Sequence, residues 1–425
     1  MRSLATARAA GVPIRMPHRT WRGLVSIILL LLSAGLARAG EPLHVLLAES
    51  LPAPPALTAR SAILLEAQTG AILFESRADD VIPQASLTKL MTLHIALQRI
   101  DEGLLDLSQT VVPPPDSWAR NMPPRSSVMF LGPGQKLTIE QLLEGLVVDS
   151  GNDAAVALAD VIAGSVPDFA RLMNDEASRL GYRVMHFVEP SGLSPENVVT
   201  AREYADFCRK FVTLHPGALR ALFSLRELTY PLDGNLVGDN HERPVTQKST
   251  NLLLGRYEGV DGLKTGHIDE SGYNFAATAR RGDMRLISVI LGIPEGPVSG
   301  LRARAVESAE LLDYGFANFT VATPSFAAPA PVRVWKGEAR SVTIAPASAP
   351  RVVVPRAEQG RLSATVEQRR EVIAPVARGQ VLGELIVRLG DVELVRFPLL
   401  PSRPVSQGGL LRRALDSVVL LFHRV

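Results

Sequence analysis

The sequence predicts a mixed α/β (α+β) fold: a sheet covered by helices, then a small all-β C-terminal domain, then a C-terminal amphipathic helix. Three observations predict it. Strand-like runs stand at both ends of residues 61–319 with 3.6-periodic stretches between them. Beyond residue 324 the chain breaks into short β-rich pieces punctuated by Pro and Gly, and residues 409–425 return to helical periodicity.

The elements follow in order. Ser61 to Glu66 and Ala71 to Glu75 flank Ala-Gln-Thr-Gly70 and read as two strands joined by a tight turn, with Gly70 supplying the unusual backbone angle. Helices are expected at Ser86 to about Gln98, Thr138 to Leu146, Asn152 to Ala163, Val166 to Leu180 and Ala201 to Val212. Three strands then begin near Val260, Tyr273 and Arg285, with Arg281-Gly282-Asp283 turning between the last two, and a helix from Arg302 to Tyr314 closes the region. Strands at both ends imply that the first and last meet in one sheet. The β-rich pieces are Val332–Trp335, Val342–Ile344, Val352–Val354, Leu362–Val366, Leu385–Arg388 and Leu394–Phe397, after an Ala/Pro linker between 322 and 331.

Composition narrows the function. With 46% hydrophobic residues and 21% charged the chain is globular, and 45 basic against 43 acidic residues give no nucleic-acid-binding surface by charge. Arg2, Arg8, Arg15, Arg19 and Arg22 precede the largely apolar Leu24 to Leu32 and Ala37-Arg38-Ala39, the pattern of a secretory signal cleaved after Ala39. The expected division is a signal peptide over 1–39, a first domain over 56–320, the β-rich domain over 328–400 and a tail helix over 407–425. Residues 41–59 read as a flexible lead-in. The single cysteine, Cys208, forbids an internal disulfide and falls at helical spacing with Tyr204, Phe207 and Phe211, as a buried packing residue does. In the tail, Leu411, Ala414, Leu415, Val418, Leu421, Phe422 and Val425 share one face, and Arg412, Arg413, Asp416, Ser417, His423 and Arg424 the other. Such a helix lies in a membrane interface or packs on its own domain; the interfacial reading is preferred because nothing after it encloses it.

Three short stretches carry chemistry. Ser86 and Lys89, one helical turn apart, can bring an amine to a hydroxyl, and a lysine kept neutral by desolvation and a neighbouring cation can take the serine's proton. Ser150-Gly-Asn152 stands just before a helix, and Lys264-Thr265-Gly266 lies in a strand where Lys264 and Gly266 face one way and Thr265 the other unless a bulge interrupts it. No H-E-x-x-H or paired-cysteine pattern suggests a metal, so no metal or cofactor is expected.

In this order, S-x-x-K, S-x-N and K-T-G resemble the penicillin-binding proteins and serine β-lactamases. Ala85-Ser-Leu-Thr-Lys, Asp149-Ser-Gly-Asn-Asp-Ala and Asp261-Gly-Leu-Lys-Thr-Gly-His are similar to the low-molecular-mass D-alanyl-D-alanine carboxypeptidases of the penicillin-binding protein 5 type, over about Ser61 to Phe319. The β domain and amphipathic tail are also parts this family has. The resemblance implies an antiparallel sheet flanked by helices with a helical subdomain. It also implies removal of the terminal D-alanine from peptidoglycan stem peptides through an acyl-enzyme on Ser86, with β-lactams as covalent inhibitors and a place on the periplasmic face of the cytoplasmic membrane. By the same resemblance Lys89 is the base, Ser150 relays a proton to the leaving amine, and Asn152 holds the substrate amide. Lys264 and Thr265 bind the terminal carboxylate, with Lys264 keeping Lys89 neutral by repulsion. The backbone N–H groups of Ser86 and His267 form the oxyanion hole, and Arg304 aligns with an arginine near the carboxylate site or sits on a surface helix.

His94, two turns along the Ser86 helix, reads as a packing or partly exposed residue. A class A β-lactamase would carry an E-x-x-L-N stretch between the second and third motifs; the nearest candidate, Glu189-Pro-Ser-Gly-Leu, lacks the asparagine. Two further proteins would fit the same motifs: a D-alanyl endopeptidase with the same machinery, and a non-catalytic wall scaffold that keeps the fold.

Overall fold

A computed structural model describes residues 51–423. The expected signal segment, the first part of the lead-in, and Arg424 and Val425 of the tail lie outside the described residues.

Five antiparallel strands form the central sheet: β1 (Ser61–Glu66), β2 (Ile72–Ser76), β3 (Val260–Ile268), β4 (Gly272–Arg281) and β5 (Met284–Ile293), in the order β2-β1-β5-β4-β3. β1 pairs with β5 from Ser61↔Leu291 to Glu66↔Leu286, so the first and last strands of the domain do meet. Every residue of β1 is buried, as in a central strand covered on both faces. Strand alternation divides its side chains between two cores. Ile63 and Leu65, with Ile287 and Val289, join the core of the helical subdomain, while Ala62 and Leu64, with Leu286 and Ile290, pack toward Leu311 and Leu312 of the last helix of the domain.

The helices are α1 (Lys89–Asp101), α2 (Ile139–Val147), α3 (Asn152–Ala163), α4 (Val166–Arg179), α5 (Ala201–Leu214) and α6 (Gly300–Asn318). Their starts are chemically marked. Thr138 and Gln141 exchange side-chain and backbone hydrogen bonds in a capping box before α2, Ser165 caps α4 and Thr200 caps α5. Cys208 is wholly buried on α5.

One expectation is corrected. The lead-in is pinned at its end, because the N–H groups of Thr58 and Ala59 and the Thr58 hydroxyl donate to the Glu307 carboxylate on α6. Strand Phe319–Ala322 continues from α6 and pairs with Val352–Pro355 of the β-rich part, ahead of residues 323–331, which carry no regular element. Arg356 donates to the carbonyls of Phe316, Ala317 and Phe319, placing a cation at the C-terminal end of α6.

The rest of the β-rich part is a four-stranded antiparallel sheet, ordered Ile344–Pro346, Val392–Pro401, Gly383–Leu389, Leu362–Gln368, beside a three-stranded one around Val332–Trp335. Helix α7 (Leu410–His423) ends the described chain. Arg412 and Asp416 bond to the backbone of Glu338 and Lys336, whereas Leu410 and Phe422 are 82% and 79% exposed and Leu411, Leu415 and Leu421 are exposed with them. Among the described residues no helix is long and apolar enough to cross a membrane.

Candidate active site

The serine of the first motif stands in a single 3-10 turn, Ala85–Thr88, that leads directly into α1. Ala85 takes a left-handed conformation, φ 51°, which an alanine adopts only when its surroundings impose it. Here they do: the Gln84 N–H donates to the Asn197 carbonyl (2.9 Å) and the Tyr204 hydroxyl to the Leu87 carbonyl (2.9 Å). Ser86 is half-buried, while Lys89, one turn on, is 1% exposed.

The Lys89 amine has three neighbours. Ser86 Oγ lies at 3.0 Å, Asn152 Oδ1 at 2.6 Å and the Ser191 carbonyl oxygen at 2.6 Å. The last two can only accept. A neutral amine gives one hydrogen to each and turns its lone pair to the Ser86 hydroxyl, the geometry a base needs. Burial lowers the Lys89 pKa to about 7, against the charges of Glu189 and Asp153, which favour the protonated form. The neighbouring cation expected to keep Lys89 neutral is thus not the leading cause; burial is.

The second and third motifs meet each other. Ser150, at φ 57°, accepts a 2.8 Å hydrogen bond from Lys264 Nζ, and Asn152 opens α3. Asn152 Oδ1 is occupied by Lys89, and its Nδ2 has no hydrogen-bond partner among the described residues. Lys264 lies on β3, the edge strand, with its amine pushed well below its ordinary pKa by burial and by repulsion from Lys89 and Arg304. Thr265, next along β3, is buried and its hydroxyl bonds the Thr250 hydroxyl at 2.6 Å. Gly266 brings β3 against the serine turn, since a Cβ there would stand 3.1 Å from the Ser86 nitrogen.

His267 is exposed and stacks on Tyr273 with ring centroids 4.0 Å apart. Arg304 is 5% exposed, not on the surface; its Nη1 donates to the Gly266 carbonyl (3.1 Å) and burial brings it down to about 10. Beside the lowered-pKa Lys89, Lys264 and Arg304 thus bring two buried basic groups to one place, neither ion-paired among the described residues. Burying cations without anions is costly, so the arrangement favours an incoming carboxylate.

His94 does not join this site. It is wholly buried, with Nδ1 2.8 Å from His215 Nε2 and Nε2 2.7 Å from Glu176 Oε1. The structure adds residues that sequence reasoning passed over. Ser191 contributes only a backbone carbonyl, which leaves no trace in a residue's identity. Gly192, at φ 86°, lies so close that a Cβ would stand 1.8 Å from the Ala85 carbonyl oxygen. The Pro190-Ser-Gly192 turn signal is the one available cue.

The D-alanyl-D-alanine carboxypeptidase profile matches residues 48–295, and the C-terminal domain of penicillin-binding protein 5 matches residues 324–407. The chain belongs to the D-alanyl-D-alanine carboxypeptidase family. It is 34% identical to the D-alanyl-D-alanine carboxypeptidase DacC of Escherichia coli K12, over 89% of this chain and 92% of that one. With DacA of the same organism the identity is 31%, over 88% and 90%. Among solved structures, penicillin binding protein 5 from Haemophilus influenzae superposes with a TM-score of 0.75 at 31% identity, covering 84% of this chain and all 100% of that one. An ampicillin-bound penicillin-binding protein D2 from Listeria monocytogenes gives 0.52 at 30% identity, over 62% of this chain and 100% of its own. Family membership explains why both the catalytic region and the β-rich part find counterparts.

Proposed function

We propose that the chain is a serine-type D-Ala-D-Ala carboxypeptidase acting on peptidoglycan stem pentapeptides, and that β-lactams acylate the same serine. The observation that carries this is a serine whose hydroxyl faces a buried lysine with a lowered pKa, beside two further buried basic groups, Lys264 and Arg304, with no ion-pair partner among the described residues. A substrate ending in a free carboxylate supplies the missing anion.

Lys264, Thr265 and Arg304 receive the terminal carboxylate, while Asn152 Nδ2 holds a substrate carbonyl. The carboxylate favours a charged Lys264, and that charge in turn disfavours protonation of Lys89. Ser86 Oγ attacks the carbonyl between the last two D-alanines as its proton passes to Lys89. The N–H groups of Ser86 and His267 stabilise the oxyanion, each donor contributing about 3 to 4 kcal/mol. The proton then travels by way of Ser150 to the leaving amine, D-alanine departs, and water hydrolyses the acyl-enzyme.

Glu189 does not support a β-lactamase reading, because its carboxylate is spent on its own loop, with both oxygens accepting from Ser191, Gly192, Ser194 and Asn197. The exposed apolar side chains of α7 support an interfacial helix that holds an exported enzyme at the membrane surface, with residues 1–39 as its signal. Release of free D-alanine from a pentapeptide, together with covalent labelling by a fluorescent penicillin that Ser86→Ala abolishes, is the expected result. A wild-type protein that gives neither is a scaffold.

A further inference from the structure

Glu189 lies outside the three motifs, yet it organises the loop that touches the catalytic lysine. Its Oε1 accepts from the N–H groups of Gly192 (2.6 Å) and Ser194 (3.3 Å) and from Asn197 Nδ2 (2.9 Å); its Oε2 accepts from the Ser191 N–H (2.7 Å) and hydroxyl (2.6 Å). These bonds curl residues 189–194 so that consecutive carbonyls face the serine-bearing segment. Pro190 accepts from the Thr92 hydroxyl (2.7 Å) and Ser191 from the Lys89 amine (2.6 Å). Asn197 ties the same loop to the serine turn, because its Nδ2 also donates to Thr88 Oγ1 (3.1 Å) and its carbonyl accepts from the Gln84 N–H (2.9 Å).

The Ser191 carbonyl is one of two pure acceptors on Lys89, and their positions decide where the lone pair points. Resting on the reading of Lys89 as the base, we infer that Glu189 is a positioning residue, acting through the Ser191 carbonyl to keep the Lys89 lone pair on the Ser86 hydroxyl. It is also the charge that most favours the protonated lysine against burial, so the loop sets both the direction and the strength of the base. Glu203 offers an internal contrast. Its carboxylate collects the N–H groups of Arg183, Val184 and Met185 in the same manner, but it has no hydrogen bond to the site.

The test is the second-order rate of acylation of the full chain by a fluorescent penicillin, followed from about pH 5 to 9. E189Q slows acylation roughly 10- to 100-fold and moves the acid limb to lower pH, because the charge favouring protonated Lys89 is gone. E189D, which keeps the charge on a shorter arm, slows acylation but holds the limb at its wild-type position. E203Q, losing comparable loop bonds, changes neither rate nor limb. A wild-type limb in E189Q, however unstable the variant, overturns the inference; if E189Q does not fold, a wild-type rate in E189D overturns it. Failure of the wild-type protein to be labelled sinks the underlying reading instead, which is a different outcome.

Discussion

Arg304 and Arg396 show how differently two parts of this molecule use the same side chain. Arg396, on the four-stranded sheet of the β-rich part, is 44% exposed at its side chain and bonds Glu393 and Glu384, which raise its pKa. Arg304, on α6, is buried with a backbone carbonyl as its hydrogen-bond partner, and burial lowers its pKa. In water, a pair such as Arg396 with Glu393 gains little, because solvent already stabilises both charges. Inside, an unpaired cation keeps its full desolvation cost until an anion arrives. Charge that looks balanced is structural here, and charge that looks unbalanced marks the place where something binds.

Four measurements put that contrast at risk. The largest effect belongs to Gly192→Ala, whose methyl would meet the Ala85 carbonyl in a left-handed conformation; labelling by penicillin falls about 100-fold or more. Labelling at the wild-type rate would show that the serine turn is not held by this loop. Next comes pH. Lys89 acts as a base only when unprotonated, and its pKa of about 7 lies below the ordinary lysine value. Acylation therefore loses about tenfold per pH unit below that point and levels off above it, whereas a flat profile down to about pH 5 would remove Lys89 from the role. Truncation after Ser406 comes third: it releases the protein from membranes while cleavage of a soluble pentapeptide persists, and continued sedimentation with membranes counts against the tail. Smallest is Arg396→Gln, which moves the melting temperature by less than about 2 °C and leaves D-alanine release untouched. A large change in either would erase the distinction between the two regions.

Much of this is legible in the residues. Strands Ser61–Glu66 and Val332–Trp335 and helix Asn152–Ala163 fall where period and turn signals put them, because local pattern and burial agree there. The segment at Ser86 does not. Periodicity predicts a helix from Ser86, but helix α1 starts at Lys89 after a 3-10 turn, since Asn197, Tyr204 and Gly192 impose that turn from far along the chain. The Ser86–Lys89 pair is readable from spacing alone. The meeting of Ser150 with Lys264 rests on motif order, because no local rule joins residues 114 positions apart. Least legible is the Ser191 carbonyl, since every residue has one and only the fold says which is used.

The pairing of β1 with β5 has a bearing on how the chain is made. Ser61 finds its partner at Leu291, so the centre of the sheet cannot close until nearly the whole domain has been synthesised. A polypeptide with its earliest strand waiting on its latest completes this sheet only late, whatever its helices have formed before then.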